Sequence, residues 1–87
     1  MQADAKKVLR YLKTARGQID GIMKMIEDDR YCIDISTQLM ATQGLLNRAN
    51  KEILSEHMRH CINEATQEEV REEKIEEMIK IIDKLVK

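Results

Sequence analysis

Between Ala5 and Ile26 apolar side chains recur as Val8, Leu12, Ala15, Ile19, Ile22 and Ile26, at intervals of three and four residues. That spacing keeps returning to one side of a helix and predicts a first helix with a single apolar stripe. The pattern breaks at the acidic run Glu27 to Asp29 and resumes beyond Cys32. From Ile33 to about Ile62 no proline intervenes, and Ile35, Leu39, Leu46, Ala49 and Ile53, with further apolar residues on other faces, predict a long, largely buried second helix. Asp28 or Asp29 is expected to cap it by accepting hydrogen bonds from its first free N–H groups. Gly44 is its one weak point. Thr66 and Glu69 have the spacing of a capping box and predict the start of a third helix, whose stripe is Ile75, Met78, Ile79, Ile82, Leu85 and Val86.

Composition agrees with an all-α protein: 36% of residues are charged and 43% hydrophobic, with no proline and three glycines. The 87 residues suffice for one domain, spanning 1–87, but no Phe, no Trp and only two Tyr leave little bulky material for a self-sufficient core. Oligomerisation is therefore expected. There is neither a charged-then-apolar leader nor an apolar run of about 18 residues, so secretion and membrane insertion are unsupported and the cytoplasm is the expected compartment. In a reducing compartment the two cysteines are ligands, redox-active thiols or inert core residues before they are a structural disulfide.

The net charge of −1 hides an uneven distribution. Lys6, Lys7, Arg10, Lys13, Arg16 and Lys24 face only Asp4 and Asp20 in the first helix region, while acids collect towards the C-terminus. At about 100° per residue, Lys6, Arg10, Lys13 and Lys24 fall within about 60° of one another, beside the apolar arc. Such a stripe is either a solvated face or one that meets anions.

His57 and Cys61 lie four residues apart, the helical spacing at which two side chains reach one atom. Cys32, the other thiol, is predicted in the first turn of the second helix, where the positive end of the helix dipole favours nucleophilic or metal-binding behaviour. On a straight helix Cys32 and His57 stand about 37 Å apart, too far to share a metal within one chain. Yet Cys32, His57 and Cys61 project within about 40° of one face, which also carries Leu39, Leu46 and Ile53. Two copies of this helix laid antiparallel, crossing near residues 45 and 46 beside Gly44, bring Cys32 of one chain against His57 and Cys61 of the other. Two thiolates and an imidazole suit Cu(I) or Zn(II) rather than Mg(II) or Ca(II), and a site without a fourth protein ligand fits Cu(I) better than structural zinc. The plain alternative is two buried cysteines and a surface histidine. His60, about 60° away from the shared face, is expected in solvent. A Cys61–His57 nucleophile and base lacks the oxyanion-hole glycines, orienting acid and pocket loops of an enzyme. A thiol switch that bridges Cys32 and Cys61 of different chains is a serious rival.

Four stretches, Leu12 to Ile22 (LKTARGQIDGI), Arg30-Tyr31-Cys32, Leu45 to Leu54 (LLNRANKEIL) and His57 to Cys61 (HMRHC), together resemble the CsoR family, the copper-sensing repressors with nickel-, formaldehyde- and persulfide-responsive relatives. The resemblance covers nearly the whole chain. It implies a three-helix protomer, an antiparallel dimer forming a four-helix bundle, and a dimer of dimers. It implies a repressor that leaves operator DNA when an inducer fills the cross-subunit site. Cys32, His57 and Cys61 match the copper branch position by position, with Tyr31 and Glu77 where that branch places residues that hydrogen-bond the bound histidine. No histidine precedes His57, unlike the nickel sensors, and persulfide sensors typically lack the histidine. For DNA the resemblance implies basic residues of the first two helices: Arg16 and Arg48 match, Lys6, Lys13 and Lys51 supply attraction to phosphates, and Arg10 stands in where Tyr11 replaces the family's usual arginine. Besides a Cu(I)-responsive repressor, a persulfide or thiol-oxidation sensor and a copper-buffering bundle without DNA function remain to be separated.

Overall fold

A computed structural model describes residues 1, 3–64 and 68–85, the side chains of 62–64, 68–70 and 85 excepted. Three helices follow in order: α1 (Ala5–Glu27), α2 (Cys32–Glu64) and α3 (Glu68–Leu85). Among the described residues there is no strand, in keeping with the all-α expectation. Asp4 caps α1, its carboxylate accepting from the N–H groups of Lys6 at 3.0 Å and Lys7 at 3.3 Å.

The turn between α1 and α2 corrects one sequence expectation. Asp28 and Asp29 do not start α2; they end α1. The N–H of Arg30 donates to the carbonyl of Met25 at 2.9 Å and that of Asp29 to Ile26 at 3.1 Å, the bond pair of a Schellman motif. Asp29 takes the left-handed conformation that this motif needs, with φ of 53°. A short polar side chain is tolerated there almost as it is at an N-cap, so aspartate alone does not say which helix end it serves. The capping box of Thr66 lies outside the described residues.

α1 and α3 both pack on α2, α1 far more extensively, and among the described residues α1 and α3 do not pack on each other. Lys7 pairs with Glu52 at 3.3 Å and the Thr42 hydroxyl donates to Gln18 Oε1 at 2.9 Å, while Val8 and Ala49 share a buried cluster with Ala3. Each step forward along α1 is thus a step back along α2: the hairpin is antiparallel. Val8, Ala15 and Ile22, spaced by seven, form the buried seam of α1, with Thr42 and Ala49 opposite on α2.

Much apolar surface stays outside this seam. Ile19 is 44% exposed, Leu39 47% and Leu46 42%, and Leu12, Met23 and Ile26 are exposed as well. The expectation that α2 is largely buried therefore fails for the single protomer: among its described side chains only Thr42 and Ala49 are buried. The molecule spans 57 × 27 × 11 Å, a slab one helix thick, and a slab cannot enclose both faces of its central helix. Projecting both helices at about 100° per residue places Leu12, Ile19 and Met23 of α1 and Leu39 and Leu46 of α2 on the same broad side of the hairpin. That side is flat, apolar and uncovered.

Candidate metal and nucleic-acid sites

In projection the candidate ligands of α2 fall on that broad side. Cys32 is the first residue of α2, at the turn end of the hairpin, and is exposed. Tyr31 beside it is 67% exposed. His57 and Cys61 lie at the opposite end, past Glu52, where α3 rather than α1 flanks α2. The helical spacing does what the sequence suggested: His57 Nε2 and Cys61 Sγ are 3.3 Å apart, with His57 exposed and Cys61 partly covered. His60 points into solvent. Among the described residues no cluster of three or more His, Cys, Asp or Glu side chains forms within the protomer, because the length of α2 separates Cys32 from the pair. Glu77 is exposed on α3, and among the described residues no hydrogen bond joins it to His57. Gly44 would meet nothing within 4 Å if it carried a Cβ, so α2 runs through it without a close approach inside the protomer.

One neighbour of Cys61 was not anticipated. The Lys74 ammonium, half-buried on α3, donates to Cys61 Sγ at 3.7 Å. No spacing along the chain signals this, since it depends on how α3 docks against α2. Beside it an apolar groove of about 400 Å³ opens between α2 and α3, walled by Leu54, Met58, Met78 and Ile81 with Asn47 and Lys51 at its polar rim.

The donors present fit a soft metal. Imidazole nitrogen and cysteine sulfur at bonding reach of a common point form two donors of a three-coordinate set, and an exposed thiol on the same face has the chemistry of the third.

Lys6, Arg10, Lys13, Arg16, Arg48 and Lys51 are all exposed, and among the described residues none of the six is ion-paired. Lys7, by contrast, is engaged by Glu52. The antiparallel register sets Arg48 and Lys51 level with Val8 to Tyr11, so cations of both helices gather at one end of the hairpin. In projection Arg10 and Arg48 leave the side opposite to the apolar face, and Arg16 sits at that face's rim. Tyr11 points inward, partly buried against the cluster of Ala3, Val8 and Ala49, which leaves Arg10 as the outward cation at this level.

Residues 4–84 match the model of the metal-sensitive transcriptional repressor family. The chain belongs to this family. Its members are transcriptional repressors that respond to metals, not enzymes. Among relatives, the copper-sensing transcriptional repressor CsoR of Mycobacterium ulcerans is 42% identical over 74 residues, covering 85% of this chain and 63% of that protein. CsoR of Mycobacterium tuberculosis strain H37Rv is 39% identical over 79 residues, 91% of this chain and 66% of that protein. The chain thus spans slightly less than two thirds of the mycobacterial proteins, but the match to CsoR of Bacillus subtilis, 33% identical, covers 93% of this chain and 80% of that one. The same three-helix fold occurs in CsoR with Cu(I) from Geobacillus thermodenitrificans, with a TM-score of 0.77 at 35% identity over 94% of this chain and 85% of that one. It occurs also in the nickel-responsive transcriptional regulator InrS, with a TM-score of 0.78 at 29% identity over 98% and 96%.

Proposed function

We propose that this family member is a Cu(I)-responsive transcriptional repressor that holds operator DNA when metal-free and releases it when Cu(I) occupies Cys32 of one protomer with His57 and Cys61 of another. The observation that carries this reading is the 3.3 Å pairing of His57 Nε2 with Cys61 Sγ on the one face of the hairpin left apolar and uncovered, with the Cys32 thiol at the far end of that face. Two such faces laid antiparallel bury Leu39 and Leu46 and complete two equal sites. The proposed assembly is a four-helix-bundle homodimer, paired into a homotetramer, with residues 1–87 acting as one domain. No helix among the described residues is long and apolar enough to cross a membrane, and a regulator of DNA is proposed for the cytoplasm. Copper as the inducer is supported by the CsoR relatives and by the likeness to CsoR with Cu(I), although InrS answers to nickel.

The chemistry supplied on binding is that of a soft cation that holds thiolates and imidazole at one point. His57 binds through Nε2 only if its proton resides on Nδ1, and Glu77 and Tyr31 are proposed to fix that tautomer by accepting or sharing the Nδ1 proton. Drawing Glu77 towards His57 moves α3 against α2, which is the proposed route from metal to DNA. Lys6, Arg10, Lys13, Arg16, Arg48 and Lys51 meet phosphates, so affinity falls steeply with salt. Since coupling is reciprocal, DNA weakens copper binding by the same factor.

A second reading keeps one observation in its favour: both thiols are free, so polysulfide can bridge Cys32 and Cys61 of different chains. A titration of the DNA upstream of the chain's own gene, with and without one equivalent of Cu(I), Zn(II) or polysulfide per chain, separates the readings. Cu(I) alone should weaken DNA binding about 5- to 150-fold. Release by polysulfide alone supports the thiol sensor, and failure to bind DNA at low salt leaves a copper-buffering bundle. Cys32→Ala or Cys61→Ala should abolish the copper response and keep DNA binding, whereas Glu77→Ala should bind copper yet lose most of the coupling. Full release of the Glu77→Ala protein by copper contradicts the proposed route.

A further inference from the structure

Lys74 lies in a mostly acidic stretch of α3, one turn beyond Arg71. Glu72, Glu73, Glu76 and Glu77 around it are exposed, but Lys74 is half-buried and turns its ammonium to Cys61 Sγ at 3.7 Å. The same sulfur is 3.3 Å from His57 Nε2. An ammonium from α3 therefore meets one of the two donors that α2 contributes, the one paired with His57. An ammonium carries three donors and no acceptor, and a thiolate keeps lone pairs after it binds a metal, so the contact is compatible with an occupied site.

We infer that Lys74 is a specificity-determining residue whose charge favours a monovalent over a divalent metal at this site. The inference rests on the proposed set of Cys32, His57 and Cys61. Both cysteines bind as thiolates and the imidazole binds neutral, so the ligands bring two negative charges. A monovalent ion leaves one negative charge, which the Lys74 ammonium cancels. A divalent ion leaves none, and the ammonium then faces a neutral centre with no charge to balance. The discrimination is electrostatic, acts through space, and needs no change in the ligand atoms. Because Lys74 is only half-buried, solvent screens the effect and keeps it modest.

The test is the ratio of Cu(I) to Zn(II) affinity, each measured by competition with a chelator on the full, reduced chain. Both metals start from the same metal-free protein, so looser packing of α3 or altered protonation of the thiols cancels in the ratio. Lys74→Met and Lys74→Gln should lower the ratio about 2- to 5-fold. Lys74→Arg should keep it, and Lys74→Glu should lower it further than Lys74→Met. The gap between parent and Lys74→Met should narrow as salt rises. A ratio unchanged in both neutral variants, in a parent that binds one Cu(I) per chain, overturns the inference. A parent that binds no Cu(I) overturns the metal site itself, and with it this role for Lys74.

Discussion

The two ends of α2 are held in different ways. Along α1 it meets a seam of Val8, Ala15 and Ile22 closed by Ala49 and Thr42, with a side-chain hydrogen bond and an ion pair tying the same two helices. Along α3 the buried contribution among the described side chains is Met78, next to an open groove of about 400 Å³, and a long ammonium-to-sulfur contact. The hairpin is the closely packed frame, and the loosely packed α2–α3 end is its proposed hinge. Rigid parts place the donors and the cations at fixed positions, whereas a response to a ligand needs an element with two accessible arrangements, and such elements come from the weakly packed end of a structure. His57, Cys61 and Lys74 all sit at that end, whereas Lys6, Arg10 and Arg48 lie along the frame.

The contrast can be broken most severely at the uncovered face. Leu46→Glu puts a carboxylate at the proposed crossing point of two α2 helices, and burying an unpaired charge there costs several kcal/mol. Sedimentation should show monomers, and Cu(I) binding should fall with the dimer. A Leu46→Glu protein that stays dimeric places the interface elsewhere. Next in size, Ile22→Ala opens a cavity in the frame and should cost about 2 to 4 kcal/mol in denaturant titrations at fixed protomer concentration. Met78→Ala removes a side chain of similar size, but its effect should be confined to α3: faster amide exchange there, with α1 and the first half of α2 unchanged. Exchange that rises across all three helices would mean that frame and hinge are one cooperative unit. Smallest is the effect at the turn between α1 and α2. Asp29→Val forces a branched side chain into the left-handed region and should cost about 1 to 2 kcal/mol, while Asp29→Gly should be tolerated or slightly stabilising.

Helix positions were legible because a buried seam imposes a period of three to four residues on any amphipathic helix. Val8, Ala15, Ile22 and Ala49 all lie on predicted stripes, and α1 begins at Ala5 as expected and ends one residue beyond Ile26. The end assignments of Asp28 and Asp29 were not legible, since a short acid satisfies either helix terminus and only the backbone bonds decide. The His57–Cys61 pairing followed from spacing within one helix, which needs no tertiary information. Lys74 and Tyr11 did not, because each is placed by packing: Lys74 by the docking of α3, and Tyr11 by the seam that turns it towards Val8 and Ala49 and leaves Arg10 outward. The projected alignment of Cys32 with His57 and Cys61 is a property of α2 alone, and its meaning depends on a second chain.

That dependence can be measured by mixing. Cys32→Ala and Cys61→Ala proteins each lack one donor of every site, so neither should bind Cu(I) tightly alone. After subunit exchange, a mixed dimer regains one complete site, built from Cys32 of one chain with His57 and Cys61 of the other. Cu(I) titration of the exchanged mixture should recover tight binding, at no more than one ion per mixed dimer, and with it release from DNA. If exchange is verified and no tight binding returns, the donors do not come from two chains.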